Sequence, residues 1–102
     1  MLSALENLIK LARERKKISV EGSYTNRLLS DNSLSKAKVI EELNELIEAI
    51  ENNTNKIHEA ADVFYHLLIY LEANEVKIED VMSELEKRKK WFMTKIIFSQ
   101  KF

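Results

Sequence analysis

One glycine, Gly22, and no proline in 102 residues constrain this chain more than any other feature of it. Proline breaks helices by removing a donor and clashing with the preceding turn, and glycine weakens them through backbone entropy. A chain nearly free of both is expected to be helical almost throughout. Its length suits one small domain, long enough for a core yet marginal as an isolated monomer. With 45% hydrophobic and 32% charged residues it is neither a disordered chain nor a membrane protein. A formal net charge of −1 gives no electrostatic reason to expect nucleic acid as a partner. The absence of cysteine excludes disulfides, thiolate metal sites and cysteine nucleophiles. The start Met1-Leu2-Ser3-Ala4-Leu5-Glu6 meets charge too early for a secretory signal, and no apolar run spans a bilayer. A cytoplasmic location is therefore the expectation.

Apolar spacing divides the chain. Leu2, Leu5, Leu8, Ile9 and Ala12 predict a first helix over about 2–17, closing in the basic run Arg13 to Lys17. Ile18 to Ser23 is a loop, after which Ser23 or Thr25 can cap a short helix through Leu29. A third helix is predicted from about Ser33 to Glu51, with Val39, Leu43, Leu46, Ile47 and Ile50 on one inward face. Asn52-Asn53-Thr54-Asn55 breaks it. The fourth is predicted over about 56–73, and a fifth from near Ile78 with Val81, Met82 and Leu85 inward. No strand pattern competes. The expected fold is an all-α bundle of about five helices around a four-helix-type core.

The fourth helix is unusual. From Ala60 to Leu71 its only strongly polar side chains are Asp62 and His66, and Glu59 completes the set. At about 100° per residue these three fall in one narrow stripe, flanked by Val63, Tyr65, Ile69 and Tyr70. A helix this apolar is surrounded by protein, and buried carboxylates must be paired or metal-bound.

The third helix adds Glu41-Glu42-x-x-Glu45, and the fourth offers Glu59-x-x-Asp62. Carboxylates one turn apart share a helix face. On antiparallel neighbours the two groups can converge into the hard-oxygen environment that Mg²⁺ or Mn²⁺ prefers, and such clusters usually handle phosphates. The bland alternative is a solvated face with Lys38 and Glu42 as an ordinary i,i+4 pair. Set opposite the Glu59/Asp62 stripe, the metal reading is the better one. His66 is either structural or a contact to substrate or to a ligand.

Together these residues resemble the MazG-like all-α NTP pyrophosphohydrolases, whose signature is E-E-x-x-E followed a helix later by E-x-x-D. Flanking segments narrow the resemblance to the phosphoribosyl-ATP pyrophosphohydrolases. They are Glu21-Gly22-Ser23-Tyr24-Thr25 with Leu28-Leu29, Lys38-Val39-Ile40-Glu41-Glu42, and Glu59-Ala60-Ala61-Asp62 with His66-Leu67-Leu68. The stretches Ile78 to Val81 and Leu85 to Arg88 match that family's closing helix, so about residues 5–90 are covered. Ile40 stands where the family commonly has glycine and is expected to alter packing near the metal. The aromatic tail, 91–102, extends past the usual end of the domain, and no counterpart of the sometimes-fused cyclohydrolase is expected.

The resemblance implies hydrolysis of phosphoribosyl-ATP to phosphoribosyl-AMP and pyrophosphate, the second step of histidine biosynthesis. It implies Mg²⁺, with Mn²⁺ as a possible substitute, held by Glu42, Glu45, Glu59 and Asp62. Glu41 or Glu45 would orient the attacking water, and the sequence does not choose between them. Lys38, Lys36 and Arg88 are phosphate-contact candidates, with surface roles as the competing reading. Ser23, Tyr24 and Thr25 carry hydroxyls suited to a ribose, its phosphate or the base. Against that stand helix capping for Ser23 and Thr25 and a core position for Tyr24.

A helix apolar nearly all round, with Trp91, Phe92, Ile96, Ile97 and Phe98 in the tail, leaves more apolar surface than a small monomer tolerates. A homodimer is the expected answer. Two other functions remain in view: a MazG-like housecleaning enzyme for other (d)NTPs, and a non-enzymatic helical dimerisation module.

Overall fold

The computed structural model describes residues 2–94. Five helices follow in order: α1 (Ser3–Lys17), α2 (Tyr24–Ser30), α3 (Asn32–Asn52), α4 (Lys56–Ala73) and α5 (Ile78–Thr94). Each lies where the apolar spacing put it, and no strand occurs among the described residues.

Local chemistry sets the boundaries. Lys16 and Lys17 with Arg15 close α1, where cations oppose the negative end of the helix dipole. Ser23 caps α2 by accepting from the Asn26 N–H at 3.2 Å. Asp31 caps α3 by accepting from the Leu34 N–H at 3.0 Å. Asn53 and Asn55 both take left-handed conformations, φ 55° and 38°, between α3 and α4. Asparagine enters that region more readily than other residues bearing a Cβ, so Asn52 to Asn55 is a turn by composition.

The short connection folds α3 and α4 into a helical hairpin, the most extensive pairing in the molecule. α1 and α2 pack on α4, and the backbone of α5 approaches α4 alone. The fully buried core is small. It comprises Ala12, Leu28 and Ile69, with Leu8, Leu29, Leu34 and Tyr65 against it, where α1, α2 and α4 meet.

The α3 seam does not pack inward as expected. Leu43, Ile47 and Ile50 are 46%, 49% and 56% exposed. Met82 and Leu85 on α5 are likewise exposed. The cause is the number of elements: α1 and α2 cover one side of the hairpin, and no described helix covers the other. Ile40 is 54% exposed on the same outward side, so it does not crowd the carboxylates. Of the tail, Trp91 and Phe92 stack edge to face with centroids 5.5 Å apart, while Ile96, Ile97, Phe98 and Phe102 lie outside the described residues.

Candidate active site

The α3–α4 hairpin places both acidic groups along its inner seam. Glu41, Glu42 and Glu45 bring carboxylate oxygens within 4.8 Å of one another, and on α4 a ring nitrogen of His58 lies as close to carboxylate oxygens of Glu59 and Asp62. Glu42 ties the two groups together. It is buried, and its carboxyl is pushed up to about 7, chiefly by burial and then by the charges of Glu45 and Asp62. Burial removes water that would stabilise the anion, and like charges oppose ionisation further.

Burial within the cluster runs opposite to the sequence pattern. Glu42 was expected on the polar side of α3 and is buried, whereas Glu59 and Asp62 are only partly buried. Lys38 pairs with Glu41 at 3.1 Å instead of Glu42. Glu59 nonetheless holds one Oε1 fully away from solvent with no hydrogen-bond partner. A small cavity of about 140 Å³ opens between the helices there, lined by Glu45, Glu48, Ala49, Thr54, Asn55 and Glu59. A carboxylate oxygen sealed from water without a donor is costly. An oxygen-rich donor set with an unsatisfied buried member suits a hard divalent cation.

The family model for phosphoribosyl-ATP pyrophosphohydrolase matches residues 4–89. The chain belongs to that family. It is 40% identical over 90 residues to the phosphoribosyl-ATP pyrophosphatase of Rhizobium etli, covering 83% of this chain and 82% of the relative. It is 40% identical over 94 residues to that of Clostridium novyi, covering 87% and 84%. A chloroplastic bifunctional histidine-biosynthesis protein of Arabidopsis thaliana is 39% identical over 92 residues. The chain spans only 33% of that longer protein's length.

The other residues singled out in this family member fall into three groups. Tyr24 and His66 sit beside the carboxylates: the Tyr24 hydroxyl lies 2.9 Å from His66 Nε2, and His66 Nδ1 lies 2.7 Å from the Asp62 carbonyl. Tyr24 is 42% exposed and so not a core residue. Its hydroxyl pKa is raised, first by burial, with Lys38, Glu41 and Glu42 among the charges that act on it. Thr25 is buried and shares a 2.6 Å hydrogen bond with the Tyr65 hydroxyl, while Ser23 serves as the α2 cap. Lys36 is exposed on α3, and Arg88 pairs with Glu84 of its own helix at 2.9 Å.

Sequence reasoning passed over His58, whose Nε2 lies 3.5 Å from Asp62 Oδ2. The i,i+4 spacing to Asp62 was the available signal. It also passed over Arg13, which binds the buried Glu72 of α4 and Glu79 of α5. No local spacing reveals a contact spanning three helices. Among the described residues, no helix is long and apolar enough to cross a membrane.

Proposed function

We propose that the chain hydrolyses phosphoribosyl-ATP to phosphoribosyl-AMP and pyrophosphate, with Mg²⁺ held by Glu42, Glu45, Glu59 and Asp62. The observation that carries this reading is a sealed, partnerless Glu59 Oε1 together with a Glu42 carboxyl raised by burial and then by Glu45 and Asp62. Both strains are relieved by one hard cation between α3 and α4. Family membership and similarity over most of the length of two proteins named phosphoribosyl-ATP pyrophosphatase support the substrate.

Bound Mg²⁺, or Mn²⁺ in its place, would neutralise triphosphate charge and acidify a water molecule. The chain's own groups do the rest. Glu41 and Glu45 flank Glu42 and are the carboxylates assigned to orienting the water. Water oxygen bonds to phosphorus, the bridging bond between α and β phosphates breaks, and pyrophosphate leaves while the water proton passes to solvent or a carboxylate. Lys38 lies beside the cluster and offers its ammonium to phosphate oxygens, with Lys36 further along the same helix. Tyr24, anchored by His66, presents its ring and hydroxyl to the nucleoside part. Ser23 and Thr25 act by fixing Tyr24 between them at the start of α2. Arg88 remains the assigned contact from α5.

The working form is proposed to be a homodimer. Ile40, Leu43, Ile47 and Ile50 of α3, with Phe64 of α4 and Met82 of α5, are each 46–56% exposed. Exposed apolar surface of that extent on a small chain calls for a partner, and a self-complementary one is the simplest.

The test is pyrophosphate release from phosphoribosyl-ATP with and without Mg²⁺, beside ordinary NTPs and dNTPs and a Glu45→Gln control. Metal-dependent turnover of phosphoribosyl-ATP alone, lost in the control, is the expected result. Turnover of other nucleotides instead would keep the carboxylate site and overturn the substrate. No turnover of any substrate by folded protein would favour the interaction-module reading.

A further inference from the structure

The loop joining α1 to α2 is held by more hydrogen bonds than a connector needs. The Asn26 amide donates to the Arg15 carbonyl at 2.8 Å and its Oδ1 accepts from the Val20 N–H at 2.9 Å. Ser23 Oγ, besides capping α2, accepts from Arg15 Nη1. Gly22 turns the chain at φ 79°, and a Cβ there would meet nothing within 4 Å. Backbone conformation, not lack of space, therefore favours glycine at this turn.

This tethered loop walls a cavity of about 450 Å³, lined among others by Ser19, Glu21, Ser23, Tyr24, Asn26 and Arg27. A second cavity of about 360 Å³ shares Ser19, Asn26 and Ser30 with it and reaches Arg15 and Lys16. The charges here are unevenly satisfied. Lys16 is taken up by Glu72 and Glu75. Arg15, by contrast, bonds only the neutral Ser23 hydroxyl, and Arg27 makes no ion pair among the described residues. Arg27 thus borders the larger hollow and Arg15 the adjoining one, and neither guanidinium has a carboxylate partner among the described residues. Tyr24 lines the larger hollow, and its hydroxyl is bonded to His66, one turn from Asp62 on the carboxylate-bearing α4.

We propose that the larger cavity at the α1–α2 loop is a second anion subsite that takes a ribose phosphate, with Arg27 as its phosphate ligand and Arg15 adding positive charge from the adjoining cavity. The inference rests on the proposed function and deepens it. Phosphoribosyl-ATP carries two anionic groups, the triphosphate and the phosphate of its added ribose. Only the second distinguishes it from an ordinary nucleoside triphosphate. With the triphosphate at the carboxylates, the added sugar phosphate needs a cationic site on the other side of the nucleoside, and Tyr24 links the hollow to the carboxylate-bearing α4. Planar guanidinium groups match phosphate oxygens, and serine hydroxyls of the lining add donors. Glu21 repels phosphate but accepts from sugar hydroxyls, which suits a ribose more than inorganic phosphate. The subsite would therefore set specificity without touching the bond that breaks.

Two readouts on the full chain and its Arg27→Gln variant test this. The first is steady-state hydrolysis of phosphoribosyl-ATP with Mg²⁺. Loss of one charged contact should raise KM about tenfold, with the loss falling on KM rather than kcat. The second needs no hydrolysis: ribose 5-phosphate is titrated into ¹⁵N-labelled protein, and the amides of residues 19–27 are followed. They should shift in the parent chain and much less in Arg27→Gln. An unchanged KM together with no shift on titration would overturn the subsite while leaving the hydrolase intact. A parent chain that binds ribose 5-phosphate through Arg27 but does not hydrolyse phosphoribosyl-ATP would keep the subsite and overturn the proposed function. Failure of both readouts would remove both.

Discussion

The Tyr24 hydroxyl meets His66 Nε2 at 2.9 Å, and the other ring nitrogen of His66 faces the Asp62 carbonyl at 2.7 Å. A carbonyl only accepts, so Nδ1 carries a proton, and in the tautomer with Nδ1 alone protonated Nε2 accepts from the tyrosine hydroxyl. The contact runs from α2 to the carboxylate-bearing α4. Tyr24→Phe and His66→Gln should each destabilise the protein by about 1 kcal/mol, the net worth of a typical hydrogen bond. In chemical denaturation the double variant should cost clearly less than the sum of the two, since both remove one interaction. Additive losses would mean that the pair is not coupled.

Glu59 supplies a metal test independent of turnover. Its Oε1 is sealed from solvent and lacks a donor, a state a cation corrects. Mg²⁺ at a hundredfold excess over its dissociation constant should stabilise the parent chain by about 2.7 kcal/mol. Thermal scans of Glu59→Gln should show little response to the same addition. An equal Mg²⁺ shift in parent and variant would place the ion elsewhere.

Glu42 gives the pH dependence a definite sign. Its carboxyl stands near 7 in the fold against an ordinary 4.5, because burial and then Glu45 and Asp62 oppose its charge. The folded state therefore holds a proton that the unfolded chain releases earlier. That contribution to stability is complete below about 4.5 and is lost as the pH rises through about 7. Metal-free protein should lose stability across this window, and Glu42→Gln should flatten the decline. Denaturant midpoints taken at several pH values would show it.

The outward apolar side of the hairpin predicts the oligomeric state. Ile47 is 49% exposed with Leu43 and Ile50 one turn away on either side. Sedimentation of the parent chain should give a dimer. Ile47→Glu, placing a charge in that surface, should shift the equilibrium to monomer, because an unpaired charge buried at an interface costs several kcal/mol. A monomeric parent would remove the homodimer from the proposed function.

Helix boundaries were legible because they are set locally. The one glycine, the asparagine-rich turn and the Ser23 and Asp31 caps act within a few residues of themselves. The E-E-x-x-E and E-x-x-D groups were legible for the same reason, since helical periodicity alone gives each its face. Which carboxylate is buried was not. Glu42 shares the polar side of α3 with Glu41, and only the crossing of α3 over α4 seals one and exposes the other. The inward or outward sense of the Leu43–Ile50 seam was hidden similarly, because it depends on how many helices remain to cover it.

Arg13 shows what long-range pairing adds to stability. Its Nη2 reaches Glu72 at 2.9 Å, and both Nη atoms reach Glu79 at 2.7 Å, joining α1, α4 and α5. Glu72 is 5% exposed, so removing its main partner leaves a buried charge that Lys16 meets only at 3.7 Å. Arg13→Met should cost about 2 kcal/mol, less than a fully sealed pair because the arginine side chain is 35% exposed. Adding Glu72→Leu should recover much of the loss, since the stranded charge is then gone. Glu79 is exposed, and the Arg13 hydrogen bond lowers its carboxyl to about 2. Its small contribution is present above about 4.5 and disappears as the pH falls through about 2. Glu79→Gln should therefore differ from the parent chain at neutral pH and converge with it in acid. Equal stability of Arg13→Met and the parent at neutral pH would show that the three-helix junction does not depend on this pairing.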